Sequence, residues 1–374
     1  MRVVIAPDAF KGAADAEHVA AAMVRGVRRV QGWDAVTLPM ADGGEGTAQA
    51  LMGPQGERVG VRSVDAFGRA QDAWYARVGA TAIVEAAVGS GYLAPSARPG
   101  TGLATTSLGT GILVSAALAD RAVDQVVVAL GGTGTVDGGL GFLIALGGKA
   151  YDAQGREVAP YPHSLGRVAK VALPRTGKPL AGWYDVGSPL LGITGSVRMF
   201  GSQKGVPTDA ADALEAAMEH WADRVEAAAK LAPSSGRDQP GAGSAGGMGF
   251  AVLAVGGRLV PGAEAVADWQ GLDTRLADAD LCLTGEGKLD HQTEQGKVVL
   301  CVARHAHRAA IPTVILVGSR DLQDESWLHA LDAYPFCIVD RPMERSQSMA
   351  ETEPLVERAA ERVTRLITRI RRNS

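Results

Sequence analysis

Apolar and polar positions follow one rhythm at both ends of the chain and another between them. Arg2 to Ala6 is an apolar, β-branched run, broken by Pro7-Asp8-Ala9-Phe10-Lys11-Gly12. Asp15 then stands as an N-cap before a helical pattern with Val19, Met23, Val27 and Val30 on one face, closed by Gly32. Ala35 to Met40 reads as a second strand, followed by Ala41-Asp42-Gly43-Gly44-Glu45-Gly46-Thr47 and another helical start. This βαβα opening predicts a parallel sheet with right-handed crossovers.

From residue 57 the pattern changes. Glu57–Asp65, Ala70–Val78 and Thr81–Ala87 are consecutive strand-like runs separated by turn residues, which predicts antiparallel hairpins. The βα alternation resumes with a strand over Asp280–Leu283, a Gly-rich loop over Thr284–Lys297 and a helix over Val298–Arg308. Strands over Pro312–Val317 and Pro335–Val339 follow, then an amphipathic helix through Leu355, Ala359, Val363, Leu366 and Ile370. The reading is an α/β protein: a parallel α/β domain from both chain ends, residues 1–58 and 275–374, with a second α/β domain of mixed sheet inserted as residues 59–274. Ligands of open α/β sheets bind at the carboxyl ends of the strands, which places the expected site in the cleft between the domains.

A length of 374 residues agrees with two domains, and 46% hydrophobic with 21% charged residues agrees with a globular chain. A net charge of -4 offers no basic footprint for nucleic acid or an anionic membrane. No apolar run is read as a membrane span, and the N-terminus lacks the regions of a signal peptide, so a cytoplasmic protein is expected. Cys282, Cys301 and Cys337 lack zinc-ligand spacing and are all expected to be buried core thiols.

Glycine does depart from average, with 48 residues gathered in a few loops. No stretch fits the GxxxxGK[ST] phosphate loop, and Gly241-Ala242-Gly243-Ser244-Ala245-Gly246 fits GxGxxG without a preceding strand, so close helix packing is expected there. Only eight of the 37 basic residues are lysines, and Lys11, Lys204, Lys288 and Lys297 lie in or beside Gly-rich loops. A lysine kept in such a loop suits phosphate as a compact point charge. Asp8, Asp42, Asp137, Asp185 and Asp290 also lie in loops, with Glu45 and Glu286 beside two of them. Acids beside anion-binding loops make sense around a divalent cation, which points to phosphoryl transfer, although Asp137 before two glycines could equally be a turn former. His291, next to Asp290, is placed to touch ligand.

Eight motifs occur in the order seen in the bacterial type-1 glycerate kinase family, which the chain resembles. They are PDAFKG, ADGGEGT, TTSLGTG (Thr105–Gly111), GGTGTVDGG, YDVGSPLLG (Tyr184–Gly192), FGSQKG (Phe200–Gly205), PGAGSAGGMG and LTGEGKLDHQT. The resemblance implies a Rossmann-like domain with an inserted α/β domain, and phosphorylation of D-glycerate, usually to 2-phosphoglycerate, with ATP as co-substrate and Mg²⁺. Lys11, Asp42, Asp185 and Lys288 are then the expected catalytic residues. Asp8, Gly43, Gly44, Thr133, Thr135, Asp137, Lys204, Gly285 and Gly287 are expected to bind substrate or phosphate, and Glu286 and Asp290 the metal. Ala13, Val136, Ser188 and Ser202 depart from the family pattern, so a related hydroxy acid or sugar acid is an alternative acceptor. A non-catalytic protein binding a phosphorylated metabolite is the other alternative. The expected partners are a small molecule and ATP, with neither nucleic acid nor membrane and with a homodimer left open.

Overall fold

The structure, a computed structural model, describes residues 1–91, 100–290, 293, 297–322 and 324–371. The chain divides into two compact units, Met1–Asp42 with Ala263–Ser374, and Gly43–Gly262. The boundaries thus fall ahead of the expected 58/59 and 274/275. The reason is local bonding. Gly131 N donates to Gly43 O at 3.0 Å, and Ala48 N donates to Glu85 Oε1 at 2.7 Å, which ties the residue 43–48 segment into the second unit. At the other boundary Gln270 Nε2 donates to Pro39 O at 3.0 Å, within the first unit.

In the first unit five parallel strands lie in the order Ala333–Cys337, Thr313–Asp321, Leu281–Asp290, Arg2–Ile5, Asp34–Thr37. The helix Ala16–Arg28 begins where expected, because Asp15 Oδ1 accepts from His18 N at 2.8 Å and satisfies a free helix-start amide. Its buried Val19, Met23 and Val27 pack with Val3, Ile5, Leu281 and Leu283, and with Leu355, Ala359 and Val363 of the helix Thr352–Arg371. A second apolar cluster, Leu289, Val299, Ala303, Ile315, Val317 and Leu328, brings in the helix Val298–Arg308. The strand Leu281–Asp290 runs through residues expected to form a loop. Gly285, Glu286, Gly287 and Lys288 are poor strand formers, but the neighbouring strand pairs with them from Cys282↔Thr313 to Asp290↔Asp321, and that pairing overrides propensity. Cys282 and Cys301 are buried as expected; Cys337, at the end of the edge strand Ala333–Cys337, is exposed.

The second unit holds a six-stranded mixed sheet in the order Arg258–Pro261, Leu180–Tyr184, Gln125–Ala129, Thr81–Glu85, Ala70–Val78, Glu57–Val64. The first four strands are parallel, and the last two join as the expected antiparallel hairpins. A short antiparallel pair, Lys149–Tyr151 with Lys170–Ala172, stands apart. The core centres on Phe142, Trp221 and Phe250, each fully buried. Thr101–Ala119 is, by length and composition alone, long and apolar enough to cross a membrane, contrary to the reading of the sequence. It is more than half buried, and its helical part, Leu108–Ala119, places Leu113, Val114 and Ala117 in the core of this unit.

Candidate active site

The first unit gathers its acids beyond the carboxyl ends of the strands Arg2–Ile5 and Asp34–Thr37, beside the middle of the strand Leu281–Asp290. The chain leaves the strand Arg2–Ile5 with Asp8 N donating to Gly285 O at 2.9 Å, so the Pro7–Gly12 turn runs along the strand Leu281–Asp290. A Cβ on Gly287 would stand 3.4 Å from both Lys11 N and Phe10 Cα, which shows how closely the two backbones pass. Met40 N donates to Pro7 O at 2.9 Å and brings the Asp42 segment alongside this turn. Burial and the nearby Asp42 and Glu286 carboxylates push Asp8 well above the usual carboxylate range, although Ala9 N donates to its Oδ1 at 2.7 Å. Glu286, 5% exposed, is pushed up to about 7 by burial, against the Thr293 hydroxyl that donates to its Oε1 at 2.7 Å and against Lys297. Asp8, Asp42 and Glu286 are therefore mutually repelling carboxylates gathered beside the central strand Leu281–Asp290.

Lys288 pairs with two carboxylates on the same strand pair. Its half-exposed ammonium lies 3.0 Å from Asp321 Oδ2 and 3.4 Å from Asp290 Oδ2, an ion-pair cluster on the paired strand ends. Lys11 is exposed on its turn. His291 lies outside the described residues.

The second unit builds a different surface at the ends of its parallel strands. Asp185 follows the strand Leu180–Tyr184, and the Gly131–Gly141 loop follows Gln125–Ala129. A Cβ on Gly131 would stand 2.8 Å from Asp185 Oδ2 and 2.5 Å from Gly44 Cα, so glycine alone lets these three segments meet. Gly43, with φ +88°, turns the chain here, and its missing Cβ would lie 2.8 Å from Trp183 O. Lys204, 8% exposed, donates to Thr133 Oγ1 at 3.2 Å and to Thr135 O at 3.1 Å. Burial pushes its ammonium down to about 8, opposed by the charges of Asp185 and Asp137.

Asp137 proves to be an internal clamp. Its Oδ2 accepts from Ser107 N at 2.7 Å, Ser107 Oγ at 2.8 Å and Gly141 N at 3.2 Å, and its Oδ1 from Gly139 N at 3.2 Å. Thr135 Oγ1 likewise donates to Ala245 O at 3.2 Å. These bonds hold the Gly-rich loop against the segment before the helix Leu108–Ala119 and against the residue 241–249 turn. Gly246 and Gly249 there pack directly on the backbones of Thr135 and Gly241, the close packing expected of that segment.

The sequence from residue 3 to residue 368 matches the glycerate kinase family. The chain belongs to the glycerate kinase family. Relatives include a glycerate kinase of Bacillus subtilis (strain 168), 35% identical over 372 residues and 96% of each chain. A glycerate 2-kinase of Escherichia coli (strain K12) is 35% identical over 356 residues, 89% of each. A crystal structure from Salmonella typhimurium LT2, described as a glycerate kinase 2, superposes with a TM-score of 0.84 at 34% identity, covering 100% of this chain and 99% of that one. This chain is accordingly a kinase.

Membership of the glycerate kinase family gives the departures noted in the sequence a place. Val136 is fully buried in the core of its unit, so the exchange there is a packing change. Ser202 and Ala13 are exposed. Ser188 accepts from Gly243 N through its backbone oxygen, a bond that any residue can make. One contributor escaped the sequence reading. Glu85, the last residue of the strand Thr81–Glu85 and 6% exposed, accepts from Ala48 N and Gly46 N and so holds the Gly-rich turn in place. A strand-terminal glutamate gives no local sign of a partner 37 residues away.

Proposed function

We propose that this kinase transfers the terminal phosphoryl group of ATP to D-glycerate, giving 2-phosphoglycerate and ADP. The observation that carries the reading is the meeting of Asp8, Asp42 and Glu286 beside the central strand, where burial and mutual repulsion raise Asp8 and Glu286. Hard oxygen donors of this kind fit Mg²⁺, and their repulsion is relieved when a divalent cation sits among them. Asp8, Asp42 and Glu286 would hold the ion, with Asp290 near them, and bound Mg²⁺ supplies charge neutralisation to the phosphates. Lys11, exposed on the adjoining turn, and Lys288, once drawn from its pairing with Asp321, add positive charge for the transferred group.

The second unit supplies the acceptor side. Lys204, desolvated and held by Thr133 and Thr135, is suited to the carboxylate of a hydroxy acid, whose charge would restore its own. Asp185, set against the Gly131 and Gly44 backbones, accepts the hydroxyl proton as that oxygen bonds phosphorus and the bond to the ADP oxygen breaks. Gly43 and Gly44 offer backbone without side chains beside it. Coupled measurement of ADP release with D-glycerate, with and without Mg²⁺, tests the activity, and phosphorus NMR of the product distinguishes the 2- from the 3-phosphate. ADP release that is indifferent to D-glycerate or to Mg²⁺ would overturn the reading.

A further inference from the structure

Beyond the kinase residues, the first unit contains a cluster of nitrogen, sulfur and oxygen donors. Cys301 and His305 lie one turn apart on the helix Val298–Arg308, so both project from one face. Both are buried, at 2% and 3% exposure. Glu264, from the helix Gly262–Gln270, reaches them: its Oε2 lies 2.9 Å from His305 Nε2. One donor atom each from Glu264, Cys301 and His305 lies within 4.8 Å of the other two. On the far side of the imidazole, Nδ1 lies 2.6 Å from Asp273 Oδ1. The thiol is hydrogen-bonded to Glu264, and burial together with that carboxylate raises it far above its usual range.

We propose that Glu264, Cys301 and His305 form a binding site for a borderline-soft divalent cation, Zn²⁺ by preference, separate from the Mg²⁺ chemistry of the kinase reaction. The donor set is decisive. Thiolate, imidazole and carboxylate together select zinc or cobalt, whereas Mg²⁺ takes oxygen ligands and keeps its water. Zinc bonds of about 2.0–2.3 Å put tetrahedral donors roughly 3.3–3.8 Å apart. To reach that spacing the Glu264–His305 pair, now 2.9 Å apart, opens by a few tenths of an ångström while the other donor pairs, no more than 4.8 Å apart, settle around the ion. Asp273 supplies the partner that metal-bound histidines regularly have: a carboxylate on the opposite ring nitrogen, which fixes the tautomer. With Nδ1–H directed to Asp273, Nε2 presents its lone pair to the metal.

The proton balance is definite. The metal–sulfur bond replaces the S–H bond, and the metal–nitrogen bond replaces the proton shared between His305 Nε2 and Glu264 Oε2, so both protons leave to solvent. Three protein donors leave one tetrahedral position for water. A metal here joins the helix Gly262–Gln270 to the helix Val298–Arg308 and so fastens the segment at which the chain re-enters the first unit.

Cobalt is the probe of choice, because thiolate ligation gives a near-ultraviolet charge-transfer band that oxygen ligation does not. The full chain, stripped of metal and kept in excess Mg²⁺, is titrated with Co²⁺. The expected result is one equivalent bound, with the charge-transfer band and tetrahedral visible absorption, all displaced by Zn²⁺. Cys301→Ser should abolish the band, while Cys282→Ser and Cys337→Ser keep it. Glu264→Gln should weaken binding at least tenfold, and Asp273→Asn by 10- to 100-fold through the histidine it positions. A band that survives Cys301→Ser, or no saturable Co²⁺ binding, overturns the proposal. Should Cys301→Ser fold poorly, Glu264→Gln decides, since that side chain is 40% exposed; unchanged Co²⁺ affinity would then count against the site.

Discussion

The carboxylate of Asp185 rests against the backbone of Gly131, with Oδ2 2.8 Å from the point where a Cβ on Gly131 would stand. The same absent atom would lie 2.5 Å from Gly44 Cα. Gly131→Ala must therefore move either the acid or the Gly43–Gly44 turn. Overpacking of this sort costs about 1–3 kcal/mol. The expected outcome is a modest drop in melting temperature and a much larger fall in kcat, read by calorimetry and steady-state kinetics on one preparation.

Asp185→Asn keeps the shape and removes the proposed proton acceptor. The kinase rate should fall by about 10²–10⁴, the usual worth of a general base, with far less change in KM for ATP. A variant within threefold of the wild-type kcat would remove Asp185 from the chemistry.

Glu286 couples function to stability with a definite sign. Its carboxyl is raised from 4.5 to about 7 in the fold. Below pH 4.5 it is protonated in both folded and unfolded chains and costs nothing. Between about 4.5 and 7 only the unfolded carboxyl ionises, so stability falls across that window and levels off once the folded carboxyl ionises too. Glu286→Gln should therefore melt higher than wild type at pH 8 without Mg²⁺, with the gap closing toward pH 4.5. The same variant should lose at least 10²-fold in Mg²⁺-dependent activity. Thermal melts across pH, beside the assay, check both halves.

Lys204 carries the opposite linkage. Its ammonium is depressed from 10.5 to about 8 by burial. Below pH 8 the folded chain holds the charge at a cost; between about 8 and 10.5 only the unfolded chain keeps the proton, so stability rises with pH. Lys204→Met should gain on wild type at pH 7 and lose that advantage by pH 10, as urea midpoints will show. Its affinity for a hydroxy-acid substrate should fall by tenfold or more, seen as a raised KM.

Much of this was visible in the order of residues. The N-cap Asp15, the three hairpin strands and the βα alternation at both ends are local signals, and local interactions produce them. The loops bearing Asp8, Asp42, Asp185 and Lys204 stood out because glycine and charge coincide there, as they also do at Asp137. Three kinds of fact were hidden. The strand through Gly285–Asp290 depends on pairing with Thr313–Asp321, which composition alone opposes. The internal bonds of Asp137 make a residue that resembles a ligand contact into a clamp for its own loop. Glu85, Glu264 and Asp273 act on partners tens of residues away, and no spacing rule reaches so far.

The sheet order of the first unit also fixes when the protein can exist. Its strand Arg2–Ile5 lies between Asp34–Thr37 and Leu281–Asp290, with Val3 opposite Leu281. A ribosome therefore delivers the strands Arg2–Ile5 and Asp34–Thr37 first and the central strand Leu281–Asp290 much later, with the whole of Gly43–Gly262 made in between. The inserted unit has all its strands in hand and is free to fold during synthesis, while the amino-terminal strand waits with one edge open. Asp8 and Asp42 wait with it for Glu286. A nascent chain halted before residue 286 carries every strand of the inserted unit but lacks Glu286 and the two strands beyond it, so the sheet of the first unit closes only in the last quarter of translation.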